Sequence, residues 1–147
     1  MDLVAKAVGI NHVALEVGDL DEAIAFWERI FGKLEFRGRS SGMAFIDLGD
    51  QFVALAQGRT QPPDSHRHFG LVVEDKEAVR ANVREAGLPA GSEGGKLRVL
   101  DPWGNNIEIV DYRDVQFTKA PEIVQRMGFD ADKSERALEE LRAKGLA

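Results

Sequence analysis

The chain has 147 residues, of which 44% are apolar and 30% are charged, and this composition is typical of a soluble globular protein. Its formal net charge is −6, from 19 basic and 25 acidic residues, which argues against nucleic acids and anionic membranes as partners. The absence of cysteine excludes disulfides, thiolate metal ligands and a cysteine nucleophile.

The first ten residues, MDLVAKAVGI, lack the basic start and the long apolar stretch of a secretion signal. No window of the sequence approaches the apolar length of a membrane span. Both observations favour a cytoplasmic protein.

The first half of the chain predicts one strand, one helix and three further strands. Residues 9–17 alternate in polarity, with Val13, Leu15 and Val17 on one apolar face. The stretch GDLDEAIAFWERIFG predicts a helix that is capped by Asp19. The stretches KLEFRGR, GMAFIDLG and QFVALAQ predict the three strands, and the polar GRTQPPDSH that follows is a candidate internal linker.

The second half repeats this order. HFGLVVED predicts a strand, DKEAVRANVREAG a helix capped by Asp75, LPAGSEGG a short irregular strand, and KLRVLD and NNIEIVDY two more strands. His12 and His68 are 56 positions apart, and so are Asp19 and Asp75. We therefore predict an α+β protein with two β-α-β-β-β modules, at about residues 9–57 and 67–112.

Residues 113–147 form a tail that predicts two short amphipathic helices, in APEIVQRMG and DKSERALEELRAKG. In the second helix Ala137, Leu138 and Leu141 make a thin apolar stripe. A packing or dimer-stabilising extension is the simpler interpretation, and a lid over a substrate cleft is the alternative.

Two histidines and one glutamate occupy related places in the two modules. His12 and His68 lie on the first strand of each module, opposite the face expected to pack on the helix, and Glu108 lies on the corresponding face of the last strand. If the modules pair about a pseudo-twofold axis, all three side chains point into one concave space. Two imidazoles and one carboxylate are a common ligand set for Fe2+, Zn2+ or Mn2+ with open coordination positions.

Other interpretations of these residues stay open at this stage. Either histidine can be structural, and Glu108 can lie at a sheet edge. His66 has the same strand parity as His68 and is an alternative ligand or an outer-shell group. We prefer His68 as the ligand because the repeat pairs it with His12.

Cationic and aromatic residues near the predicted concave space are candidates for substrate contacts. Arg98 and Lys96 have the inward parity of KLRVLD, and Arg98 can hold a carboxylate or phosphonate in a bidentate fork. Arg37 and Arg39 follow the same logic on the second strand. The alternative to substrate binding by Arg98 is that it is a solvent-exposed arginine of the strand. For Trp103 in DPWGN we favour packing within the turn or a dimer contact over stacking on a substrate.

Three stretches resemble the vicinal oxygen chelate superfamily of glyoxalases, bleomycin-resistance proteins, extradiol dioxygenases and fosfomycin-resistance enzymes: NHVALEVGDLDEAIAFWERIFG, HFGLVVED and LDPWGNNIEIVD. The resemblance covers about residues 9–112. It implies paired modules that form a cupped mixed sheet, often in a homodimer. It also implies a divalent metal ion, Fe2+, Mn2+, Zn2+ or Ni2+, held by His12, His68 and Glu108.

The sequence departs from two branches of that superfamily. Ala54 stands where glyoxalase I proteins carry Glu or Gln, which argues against lactoylglutathione lyase activity. Ala14 stands where fosfomycin-resistance enzymes carry a hydroxyl residue, which argues against that assignment. The three-ligand set resembles extradiol dioxygenases, for which His66 is the one spare histidine.

We therefore predict a metal-dependent lyase, isomerase or dioxygenase acting on a small polar substrate, with Arg98 and His66 as candidate catalytic residues. The alternatives are a protein that sequesters a small molecule or drug in a dimer cleft without catalysis, and a structural or regulatory dimer.

Overall fold

The computed structural model describes residues 3–89, 91–93 and 95–147 and shows two β-α-β-β-β modules followed by a helical tail. The first module contains β1 (His12–Val17), α1 (Leu20–Phe31), β2 (Phe36–Arg39), β3 (Met43–Asp47) and β4 (Phe52–Gln57). The second contains β5 (Phe69–Val73), α2 (Lys76–Glu85), β6 (Gly91–Glu93), β7 (Lys96–Leu100) and β8 (Asn106–Asp111). The tail contains a 3-10 turn (Tyr112–Asp114), α3 (Pro121–Met127) and α4 (Glu135–Ala143). The predicted fold class and element order are confirmed, although β1 begins at His12 rather than Gly9. In the predicted strand LPAGSEGG, Ala90 and Gly94 lie outside the described residues.

The two modules build sheets of identical topology. The strand orders are β1-β4-β3-β2 and β5-β8-β7-β6, and in each sheet the first two strands are parallel while the others are antiparallel. This equivalence supports the internal repeat. The two sheets stay separate in the described part of the chain, so their closure into one cupped sheet stays a prediction.

Helix caps and apolar periodicity explain why one face of each sheet is covered. The Asp19 carboxylate accepts a hydrogen bond from the Glu22 N–H at 2.8 Å, which satisfies a backbone donor at the start of α1. Asp75 does the same for the Glu77 and Ala78 N–H groups of α2. The buried residues of α1 are Leu20, Ala23, Ile24, Phe26, Trp27 and Ile30. The helices cover one sheet face in each module, and the other face, here called the cup face, carries the predicted ligands.

Contacts between the helices and between two turns join the modules. The Asn82 side-chain amide of α2 donates to the Ile30 carbonyl of α1 at 2.9 Å. The Asn105 amide, in the turn before β8, donates to the Glu16 carbonyl of β1 at 3.0 Å. The partners in these bonds are 52 and 89 positions apart, so they fix the modules relative to each other.

The predicted linker at residues 58–66 is an ordered strap. Arg59 is almost buried, and its guanidinium donates to the Gln61 and Pro62 carbonyls. The Asp64 N–H donates to the Gly104 carbonyl at 2.9 Å. Burial raises the pKa of the Asp64 carboxyl, but hydrogen bonds from Arg67 and the Asn106 N–H and the charges of Arg67 and Arg59 together hold this pKa below its ordinary value.

The tail folds back onto the first module of its own chain. The Lys119 ammonium donates to the Leu48 carbonyl at 2.6 Å and pairs with Asp50. Burial raises the pKa of Asp50, but the hydrogen bond and charge of Lys119, with further contributions from a backbone hydrogen bond and Arg37, hold it below its ordinary value. The Lys133 ammonium donates hydrogen bonds to the carbonyls of Tyr112, Val115 and Phe117. These bonds fix the loop before α4 against the first residues of the tail. In the described residues, no helix combines the length and apolarity needed to cross a membrane.

Candidate metal centre

His68 and Glu108 approach each other on the cup face of the second sheet. His68 directly precedes β5, and the parallel register of β5 and β8 places Gly70 beside Glu108. The Nε2 atom of His68 lies 4.0 Å from Oε1 of Glu108. A divalent ion binds nitrogen and oxygen ligands at about 2.0–2.2 Å, so this pair can span one ion with a small side-chain adjustment.

The His68 ring is oriented by the backbone of the loop before β5. Its Nδ1 atom lies 2.8 Å from the carbonyl oxygen of His66. A carbonyl only accepts, so Nδ1 donates this bond, and the tautomer with its single proton on Nδ1 leaves the Nε2 lone pair available to a metal ion. This is the usual outer-shell arrangement of a metal-binding histidine. His66 contributes here through its backbone carbonyl; its side chain is exposed, and a catalytic role for it stays a prediction.

Two cationic side chains of β7 surround the same carboxylate. The register pairs Arg98 with Glu108, and Nη2 of Arg98 lies 3.6 Å from Oε1 of Glu108. Nζ of Lys96 lies 3.9 Å from the same oxygen, but its side chain is 61% exposed. The prediction that both residues share the face of Glu108 is confirmed by this geometry.

Buried polar atoms without partners concentrate on this face. Four such side-chain atoms occur in the described residues, and three of them, Arg98 Nε, Asn106 Oδ1 and Glu108 Oε1, belong to neighbouring positions of β7 and β8. A buried polar atom without a hydrogen bond costs about 1–3 kcal/mol, so such atoms usually mark the place of an ion, water or ligand. The orphaned carboxylate oxygen of Glu108 therefore fits a cation.

His12 lies at the start of β1, on the other sheet. Its ring stacks on Phe52 with centroids 4.6 Å apart and planes 9° apart, and Nδ1 contacts the Asn11 side-chain oxygen at 2.9 Å. Among residues 3–89, 91–93 and 95–147, no three His, Asp or Glu side chains come together as one metal site. A single chain in this arrangement thus brings together two of the three predicted ligands.

The cup face of the first sheet carries aromatic rings beside His12. Phe45 and Phe52 form an edge-to-face pair with centroids 5.7 Å apart. Ala14 and Ala54 pair across β1 and β4, so the position where glyoxalase I proteins carry Glu or Gln presents only a methyl group. The alternation of side chains along β1 and β4 predicts which residues lie on this face. It does not predict that the Phe52 ring stacks on His12.

The arginines of β2 do not share one face as predicted. The register shifts between Phe36 and Gly38, and a bulge of this kind reverses the alternation of side chains. Arg37 lies over the Phe52 ring, with Cζ 4.8 Å from the ring centroid. Arg39 instead pairs with Asp21 of α1 at 2.7 Å, on the helix side, so its predicted cup-facing position is wrong.

Asn106 is a further candidate site residue, which the sequence pattern alone did not single out. It is 6% exposed, lies beside Glu108 on β8 with the same parity as His68, and its amide oxygen has no partner. The signal was present in DPWGNNIE, since Asn106 and Glu108 are two residues apart on one strand.

Comparison with known proteins places this fold and site in a family. Residues 9–109 match the Glyoxalase/Bleomycin resistance protein/Dioxygenase superfamily. This chain belongs to that superfamily. The match spans both modules and ends just after Glu108, so both halves of the candidate site lie inside it.

Two curated members of the superfamily carry names of transferases. The chain is 30% identical to glutathione transferase FosA of Serratia marcescens over 111 residues, which cover 68% of this chain and 78% of FosA. It is 33% identical to metallothiol transferase FosB of Lysinibacillus sphaericus over 73 residues, which cover 46% of this chain and half of FosB.

A solved structure of another member shares the fold. The fosfomycin resistance protein FosX from Listeria monocytogenes, in complex with Mn(II) and a sulfate ion, superposes with a TM-score of 0.59 at 20% identity. The match covers 71% of this chain and 92% of FosX. At this identity the likeness shows the fold alone.

Proposed function

We propose that this protein is a metal-dependent enzyme that acts on a small polar substrate whose oxygen atoms bind the metal. The main support for this proposal is the His68–Glu108 pair. Nε2 of His68, whose ring is oriented by a hydrogen bond at Nδ1, lies 4.0 Å from Oε1 of Glu108, and this oxygen has no hydrogen-bond partner. Because two relatives are named as transferases, we favour group transfer or addition, with lyase, isomerase and dioxygenase chemistry as the other options.

His12, His68 and Glu108 would hold the ion, which we expect to be Fe2+, Mn2+, Zn2+ or Ni2+. Two neutral imidazoles and one carboxylate suit these ions and leave coordination positions open for a substrate. When bound, a divalent ion would supply positive charge that stabilises negative charge on substrate oxygens. The protein's part is to hold the three donors and to exclude other ligands.

We propose that two chains share each site in a homodimer. Among the described residues His12, His68 and Glu108 do not come together as one metal site in a single chain, although all three lie on cup faces. A twofold dimer can place the first sheet of one chain against the second sheet of its partner, which generates two equal sites. Each site would then combine His12 of one protomer with His68 and Glu108 of the other.

The two faces that meet in such a dimer differ in chemistry. Arg98 and Lys96 provide positive charge beside Glu108, and the unpartnered Asn106 oxygen can accept a hydrogen bond. Phe45 and Phe52 provide an apolar surface beside His12. We therefore expect a substrate with an anionic, oxygen-rich end that Arg98 orients and an apolar part that lies on the phenylalanines.

Metal analysis of untagged protein tests the ligand set. We expect His12→Ala, His68→Ala and Glu108→Gln to lose stoichiometric metal, whereas His66→Ala, the matched histidine control, retains it. Equal metal content in the wild type and all four variants would contradict the proposal.

Mixed dimers test whether the site is shared. A dimer of one His12→Ala chain and one Glu108→Gln chain, isolated with two different tags that are then removed, has one intact site if chains share sites. It has none if each chain builds its own. We expect half of the wild-type metal content, and a metal content like that of the single-variant homodimers would contradict the shared site.

Sequestration without catalysis is the second candidate function, and the half-buried Phe45–Phe52 pair on an open face is the observation that favours it. A planar aromatic drug would then raise the melting temperature equally in the wild type and in Glu108→Gln. Our proposal expects no such metal-independent increase.

A further inference from the structure

The His12 side chain is exposed, yet its ring has a stacking partner on the same sheet. The parallel register of β1 and β4 places His12 beside Phe52, and the two ring planes differ by only 9°. An exposed histidine otherwise samples several rotamers, and fixing one of them to bind a ligand costs conformational entropy. A stack that exists before the ion binds lowers this cost.

Arg37 covers the Phe52 ring from the opposite side. Its Cζ atom lies 4.8 Å from the ring centroid. In the strand order β1-β4-β3-β2, the strand of Phe52 lies between the strand of His12 and that of Arg37. The phenyl ring therefore lies between the imidazole and the guanidinium. A guanidinium is attracted to the negative face of an aromatic ring, so Arg37 restricts the rotation of Phe52 and, through it, that of His12.

The turn between β3 and β4, residues 48–51, fixes the position of the Arg37 guanidinium. Nη2 of Arg37 donates to the Gly49 carbonyl at 2.8 Å, and Nε lies 3.5 Å from the Asp47 carboxylate. The same carboxylate accepts a hydrogen bond from the Gly49 N–H at 2.8 Å. The turn thus holds the arginine over Phe52, and the charge of Asp47 offsets that of Arg37.

The helical tail packs on this turn. The side chains of Ile123 and Met127, in α3, lie against the Gly49 backbone, only 2.8 and 2.9 Å from where a β-carbon would be built. The Lys119 ammonium donates to the Leu48 carbonyl at 2.6 Å. The tail therefore contacts the residue whose carbonyl holds Arg37, and also the residue before it.

We infer that Arg37 is a positioning residue for His12 and that the tail supports it through the turn between β3 and β4. The inference rests on the proposed function, in which His12 binds the metal ion. Arg37 acts through the Phe52 ring and does not itself bind the ion. The tail then contributes to metal binding although it supplies no ligand.

NMR spectra of the histidine rings in the metal-free protein test the stack directly. The chain has three histidines, and His12→Gln identifies the signals of the stacked ring. Its protons lie over the face of Phe52, so we expect their resonances to be shifted upfield. Phe52→Leu should abolish this shift and Phe52→Tyr should retain it. Arg37→Met should reduce it, whereas Arg39→Met, the matched control on the helix side of the same strand, should not. An unshifted wild-type signal, or a full shift in Arg37→Met, would overturn the inference.

Titration with Mn2+ tests the consequence for metal binding. Arg37→Met should raise the dissociation constant about two- to fivefold, the range expected from the loss of an exposed cation–π contact, and Arg39→Met should leave it unchanged. Lys119→Met should raise it in the wild-type background but not in the Arg37→Met background, because the tail acts through this arginine. Equal effects of Lys119→Met in both backgrounds would overturn the route through Arg37.

His12→Ala separates a failure of this inference from a failure of the proposed function. If His12→Ala loses Mn2+ binding while Arg37→Met binds as tightly as the wild type, the positioning role is wrong and the ligand set survives. If His12→Ala binds Mn2+ like the wild type, the proposed ligand set is wrong, and the positioning role fails with it.

Discussion

The Trp103 indole lies directly against the backbone of Gly18 and occupies the space where a β-carbon would be built. Trp103 belongs to the turn between β7 and β8 of the second module, and Gly18 follows β1 of the first. This contact explains the position of Trp103, which packs between modules rather than standing free as a substrate-stacking group.

Gly18→Ala should therefore destabilise the protein, although the backbone at Gly18 has no conformation that alanine avoids. Overpacking of this kind costs about 1–3 kcal/mol of unfolding free energy, measurable by urea denaturation. Gly42→Ala, where a β-carbon meets nothing within 4 Å, is the matched control and should change stability little. In a Trp103→Ala background the cost of Gly18→Ala should fall, and an unchanged cost would rule out the steric explanation.

Arg98→Met should tighten divalent metal binding while weakening anion binding. The guanidinium lies 3.6 Å from the Glu108 oxygen and competes with a metal ion for its negative charge. Screened Coulomb energies at this distance predict metal affinity roughly three- to tenfold higher in the variant. Isothermal titration with Mn2+ measures this, and Lys96→Met should change affinity less, since its side chain is more exposed. Weaker Mn2+ binding in Arg98→Met would show that the arginine supports the site instead.

The Asp64 carboxylate should contribute to the free energy of unfolding at neutral pH and lose this contribution in acid. Its folded-state pKa is below the ordinary value of 3.8, so the unfolded chain takes up the proton first as the pH falls. The stabilisation is full above the unfolded pKa and disappears as the pH falls through the lower folded-state value. Urea unfolding from about pH 6 to about pH 3 should show the wild type losing its advantage over Asp64→Asn. The exposed Glu28→Gln is the control, and a constant difference between wild type and Asp64→Asn would contradict this account.

Lys119→Met should release the tail from the first module. The buried ammonium holds the Leu48 carbonyl and the Asp50 carboxylate, and its removal leaves both without this donor. We expect a loss of about 1–3 kcal/mol in unfolding free energy and faster amide exchange in α3. Lys144→Met, at the exposed end of α4, should change neither. Unchanged exchange in α3 of Lys119→Met would show that other contacts, such as the hydrogen bond from the Asp130 N–H to Glu74, hold the tail.

The sequence by itself determined the local elements and the side of each strand that faces away from its helix. The Asp19 and Asp75 caps and the alternation along β1 and β8 act over a few residues, so they can be recognised without knowledge of the fold. For this reason His68, Arg98 and Glu108 were correctly predicted to share one face.

Only the tertiary structure decided how distant parts of the chain meet. The bulge in β2 separated Arg37 from Arg39, and the strap at residues 58–66 joined the turn before β8. Among the described residues, His12, His68 and Glu108 did not come together as one metal site. These outcomes depend on packing between residues that are tens of positions apart, such as Asn82 with Ile30 and Lys119 with Leu48. No periodicity or cap within one element encodes such contacts, because their energy arises only when both partners are already folded.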